Sequence, residues 1–163
     1  MEQQLPIAVK VVVDNFTGTL MRTSKLFDSL TDEELQGEVS PGRNTGVYLL
    51  GHLVAAHDHL VSLLGMGEMK YGHFHEAFFK NPDKSGIEFP SIAQLRSDWN
   101  KVNETLTAGI ATLQPEEWLH KHTAVSEEDF AKEPNRNKLN VLMTRTIHLA
   151  SHYGQLLFLK KNA

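Results

Sequence analysis

Apolar residues return every three or four positions along four separate stretches of this chain, and no stretch shows the two-residue alternation of a convincing strand. A chain patterned this way hides its apolar surface by laying helix against helix. The first stretch runs from Pro6 to about Leu30, with Val9, Val12, Phe16, Leu20, Phe27 and Leu30 recurring between Asp14, Arg22 and Lys25. The second runs from about Thr45 to Leu64, carries Leu49, Leu53, Ala56, Leu60 and Leu63, and stops at Gly65-Met66-Gly67. Ser91 opens the third, which continues through Ile92, Leu95, Trp99, Val102, Leu106, Ile110 and Leu113. Asn137 is the expected N-cap of the fourth, from about Lys138 to Lys161.

Two sequences have the form of a capping box, Thr31-Asp32-Glu33-Glu34 ahead of a short helical turn and Ser91-Ile92-Ala93-Gln94 at the third helix. Between the second and third helices, Tyr71, His73, Phe74, His75, Phe78 and Phe79 lie among Gly72, Pro82, Gly86 and Pro90. This reads as a long aromatic connection holding at most one helical turn. Pro115-Glu116-Glu117-Trp118 starts another short turn, and the stretch to about Arg136 is polar and irregular. The expectation is an all-α four-helix bundle, one domain over residues 1–163, with long connections after helices 2 and 3.

The formal net charge is -4, and the 16 Lys and Arg residues are scattered rather than striped, which argues against nucleic acid as a partner. No apolar run reaches the roughly 18 residues of a membrane helix, and Met1 to Lys10 lacks a signal or transit pattern, so a cytoplasmic location is expected. With no cysteine, the chain has no disulfide, no thiolate metal ligand and no cysteine nucleophile.

Chemistry concentrates in the nine histidines. His148 and His152 stand four residues apart on the last helix, a spacing that stacks both imidazoles on one face where they reach a single ion. They share a sector with Val141 and Leu159, so that face points inward. On the second helix Leu49, His52, Ala56, His59 and Leu63 form a similar stripe. Either His52 or His59 can supply a third ligand, but not both to one ion, because seven residues separate them by about 10 Å along the axis. His57 and Asp58 point elsewhere and read as surface residues, and His73, His75, His120 and His122 read as solvated loop histidines. Packed, hydrogen-bonded histidines are the competing explanation. Leu149 stands where a zincin protease has its glutamate, which disfavours that mechanism.

Asn44-Thr45-Gly46-Val47-Tyr48-Leu49-Leu50-Gly51-His52-Leu53, together with His148-x-x-x-His152-Tyr153-Gly154-Gln155-Leu156, resembles the DinB-like superfamily. The resemblance covers nearly the whole chain in helix order and departs at Tyr153, where relatives often carry arginine. It implies an up-down-down-up bundle, a metal held by His52, His148 and His152, and a homodimer. It also implies relatives that are S-transferases using bacillithiol- or mycothiol-type thiols.

Three neutral imidazoles leave a divalent ion its full charge and an open position, an arrangement of catalytic type. Zinc, nickel, iron and manganese all accept imidazole and water. Such an ion lowers the pKa of bound water, giving a hydrolase, or holds a thiol as thiolate, giving an S-transferase. In a chain without cysteine the thiol would be a small bacillithiol-like molecule, and the substrate a small molecule. Tyr48 and Gln155, one turn from ligands, would orient a ligand or substrate, and Arg145 would pair with an anionic group. The aromatic connection would roof the ion. A stress-response or binding bundle with a non-catalytic ion, and a metal-free dimeric scaffold, are the readings from other classes.

Overall fold

The structure, a computed structural model, describes residues 4–160, and among them all regular structure is helical apart from isolated bridges. The four long helices are α1 (Gln4–Ser29), α3 (Gly46–Leu63), α4 (Ile92–Ile110) and α6 (Lys138–Leu156). Two short helices, α2 (Asp32–Gln36) and α5 (Glu127–Lys132), lie in the connections, with a π-turn at Glu76–Lys80 and 3₁₀ turns at Pro115–Leu119 and Leu157–Leu159. The fourth helix thus tightens to 3₁₀ after Leu156, and the end of the expected span at Lys161 lies outside the described residues. The stretch before Arg136 is not wholly irregular, since Ser126 accepts from Asp129 N and opens α5.

Local chemistry sets these boundaries. Thr31 and Glu34 make both bonds of a capping box, whereas at Ser91 the side chain accepts from Gln94 N while Gln94 turns to Asp98 instead. Asn137 Oδ1 accepts from Asn140 N, the expected cap of α6. The N-terminus of α3 is closed from outside the helix: Asp83 accepts from both the backbone N and the hydroxyl of its N-cap Thr45, at 2.6 and 2.8 Å. The C-terminus of α1 is closed by Arg96, which donates to the carbonyls of Phe27 and Leu30 at 2.5 and 2.6 Å.

α3 is buried on nearly every side, by α4, α6, α2 and the π-turn, while α1 packs against α6 and α4. This corrects the surface reading of two residues: His57 is 0% and Asp58 2% exposed. α6 is the opposite case, its buried positions Leu142, Leu149 and Leu156 falling at seven-residue intervals, a single narrow line on the helix. The histidines of α6 sit beside that line, half-buried. Its other flank stays open, with Met143 and Ile147 exposed next to Val11 of α1.

Candidate metal centre

His52 from α3 meets His148 and His152 from α6 through their Nε2 atoms, which stand 3.0 Å (His52 to His148) and 3.1 Å (His152 to His148) apart. The pair within α6 comes from the four-residue spacing, and its rings cross at 88°. The third ring arrives because Gly51 precedes His52. A Cβ at Gly51 would sit 2.2 Å from the Phe78 ring, so only glycine lets the π-turn lie this close to α3. That approach places the Phe78 carbonyl 2.9 Å from His52 Nδ1.

The outer nitrogens decide where the protons lie. A carbonyl only accepts, so His52 Nδ1 donates to Phe78 O and its Nε2 keeps a bare lone pair. His152 Nδ1 lies 2.8 Å from Gln155 Oε1 and donates there, again leaving Nε2 bare. Arg145 only donates, so His148 Nδ1 accepts from its Nη1 at 3.3 Å and the proton of that ring sits on Nε2, between the two lone pairs. A proton therefore stands where the three atoms converge, and one positive centre satisfies all three rings.

The donor set also fits a metal ion. A metal–imidazole bond of about 2.0–2.1 Å puts neighbouring ligand nitrogens about 2.9 Å apart at a right angle and about 3.4 Å apart at the tetrahedral angle. The spacings of 3.0 and 3.1 Å fall between. Each ring is held neutral, as a ligand must be. Burial lowers the pKa of His52 and His152, against the opposing help of Phe78 and Gln155 respectively, and burial with the neighbouring His152, Arg145 and His52 takes His148 down to about 3. Among the described residues no fourth histidine or carboxylate joins the group.

A family model described as the DinB superfamily matches residues 15–156. The chain belongs to the DinB superfamily. None of the curated proteins matches it. In this DinB-superfamily bundle the two motifs read from the sequence, on the second and last long helices, are the ones that bring the three rings together.

The neighbours divide. Gln155 touches a ligand nitrogen directly, and Arg145 touches His148. Tyr48 does not: its hydroxyl donates to Asn81 O at 3.0 Å and its ring lies parallel to His52 at 6.3 Å, so it braces the π-turn. Of the aromatic connection, Phe79 lies against His52 at 5.0 Å, whereas Phe74, Phe78 and Phe89 pack on one another and into the core. His59 faces His75 rather than the triad, and His73 lies against Tyr71 and Phe74. His120 and His122 flank Lys121, whose bridge to Asn137 ties the last connection to the start of α6. His57 donates to Asn103 Oδ1 at 2.6 Å, inside the bundle between Phe16 and Trp99. Sequence reasoning missed the Phe78 carbonyl altogether, because its only signal is Gly51.

A cavity of about 340 Å³ lies elsewhere, between α3 and α4, lined by Asp58, Val61, Lys101 and Thr105 among others. Asp58 there accepts from the backbone N of Lys70 and Tyr71 and fixes the start of the long connection. None of the three converging histidines lines it.

Proposed function

We propose that this protein is a metal-dependent enzyme of the DinB superfamily that holds one divalent ion on Nε2 of His52, His148 and His152. The observation that carries the reading is the convergence of three neutral imidazoles, two with their outer nitrogens donating to Phe78 O and Gln155 Oε1, on a group with no fourth protein donor among the described residues. Zinc, nickel, iron and manganese all suit three imidazoles with an open position. Bound there, the ion would supply Lewis-acid activation of a small thiol or of water. Phe78 O and Gln155 Oε1 hold His52 and His152 with Nε2 bare, and Phe79 shields one side of the centre.

With no cysteine in the chain, S-transfer draws its thiol from solution, as a bacillithiol-like molecule, and adds it to a small electrophilic substrate. Hydrolysis by activated water is the related activity. A thiol-dependent site belongs in a reducing compartment, which places the reading in the cytoplasm.

The same reading takes the chain as one domain arranged up-down-down-up. Residue proximities support it: Val11 and Val12 neighbour Met143 and Ile147 while Arg22 and Leu26 neighbour Tyr153 and Leu157, so α1 and α6 run the same way. Phe27 meets Trp99 while Leu20 lies near Asn103 and Thr107, so α1 and α4 run opposite ways. A homodimer is supported by the exposed apolar flank of Ile7, Val11, Met143 and Ile147.

Elemental analysis of protein purified without a histidine tag tests the centre. One equivalent of metal is expected, lost in His152→Ala with helical signal preserved and kept in His59→Ala; undiminished metal in His152→Ala rejects the assignment. Thiol consumption by metal-loaded protein across a panel of electrophiles then tests transfer, and absence of any thiol-dependent turnover leaves hydrolysis.

A further inference from the structure

Arg145 has a guanidinium with nothing negative to hold. None of the ion pairs among the described residues includes it, its Nε is shielded from solvent without a hydrogen-bond partner, and its one side-chain contact is the 3.3 Å approach to His148 Nδ1. A buried arginine is normally paired, because an unpaired charge out of water is strongly unfavourable. Asp58 is the acid near His59, and its two oxygens are taken by Lys70 N and Tyr71 N.

Arg145 lies close enough for its charge to act on the rings of His57 and His59. His75 carries a second orphan, an Nε2 shielded from solvent with no partner. His75 lies edge-to-face with His59 at 5.9 Å and stacks on Phe79 at 4.9 Å, and Phe79 in turn lies against His52 at 5.0 Å. An unbroken line of rings, His59, His75, Phe79 and His52, therefore runs to the triad. On the α6 side Arg145 bonds His148, and its charge, like that of His75, reaches His59.

We propose that Arg145, with His75 and His59, is an oxyanion-binding subsite beside the histidine triad, and that the substrate is a small molecule bearing a carboxylate or phosphate group. The guanidinium fork matches either group through two parallel N–H bonds, and the His75 ring, donating from Nε2, adds a third. The Phe79 face carries the body of the molecule, so that its reactive end lies at the triad. This rests on the metal-centre reading only for what the anion is held against; the subsite itself needs no ion.

The test titrates acetate, and separately inorganic phosphate, into ¹⁵N-labelled protein, as purified and after treatment with EDTA. The Arg145 Nε–H and the His75 ring resonances report. Saturable shifts that survive EDTA, weaken about tenfold or more in Arg145→Gln and weaken roughly two- to fivefold in His75→Phe are expected. The tighter of the two probes identifies carboxylate or phosphate as the recognised group. Binding abolished by EDTA but intact in Arg145→Gln would place the anion on the metal and overturn the subsite. So would the absence of saturable shifts with either probe in protein whose helical signal and melting are unchanged. Metal content, measured on the same samples, fails or stands independently.

Discussion

At the scale of single residues, the outer nitrogen of each ligand ring matters as much as the inner one. Gln155→Leu removes the acceptor at His152 Nδ1 while leaving all three imidazoles, and metal affinity is expected to fall about 10–100-fold. Competition against a chromophoric chelator measures this, and an unchanged affinity rejects the orienting role. His57 gives a second residue-level expectation. Burial, opposed by its bond to Asn103, takes its pKa to about 3, below the ordinary 6.5, so the unfolded chain binds the extra proton and the folded one does not. Its contribution is complete above the unfolded value and is lost as pH falls from there toward 3, at about 1.4 kcal/mol per pH unit. The urea midpoint of metal-free protein should therefore drop on acidification, and His57→Gln should drop less steeply. Equal slopes would show that His57 is not the titrating group. The His148/His152 pair was legible in the sequence because both members lie on one helix. His57 was misread because a single apolar stripe was expected of α3, and a helix wrapped on every side has no solvent face.

At the scale of elements, the long helices and the short turns at Thr31 and Pro115 announced themselves, whereas α5 did not. A stretch such as Ile92 to Ile110 repeats its pattern over five turns and caps itself with Ser91, so its existence and its start follow from local rules, while the pattern ran on to Leu113 past its end. The π-turn at Glu76–Lys80 has no such signature; it exists because Phe78 packs on Gly51 and Tyr48 and because Asn81 donates back to Glu76 O. Yet that turn supplies the acceptor for His52. Gly51→Ala tests the coupling between element and site. The added methyl meets the Phe78 ring at 2.2 Å, with an expected loss of about 1–3 kcal/mol in stability. Metal affinity should weaken too, as the Phe78 carbonyl is pushed from His52 Nδ1. Loss of stability with wild-type metal affinity would show that the turn packs on the site without orienting it.

At the scale of the whole molecule, exposed Val11 of α1 and Met143 and Ile147 of α6 sit side by side. The proposed homodimer uses this flank, so Ile147→Glu, on a side chain 63% exposed, should yield monomer by light scattering with melting unchanged within about 0.5 kcal/mol. Monomeric wild type at micromolar concentration would discard the dimer. The triad has a consequence at the same scale. His52 and His148 are 96 residues apart in the chain, and His152 lies further still. During synthesis the first ring of the site leaves the ribosome long before the other two. A nascent chain ending anywhere before α6 offers an ion one ring of the three, so the centre cannot be loaded co-translationally on its first helices. In the proposed centre, metal acquisition would then be a final event of biogenesis, available only to a finished and folded polypeptide, and truncated products would be excluded from competing for the ion.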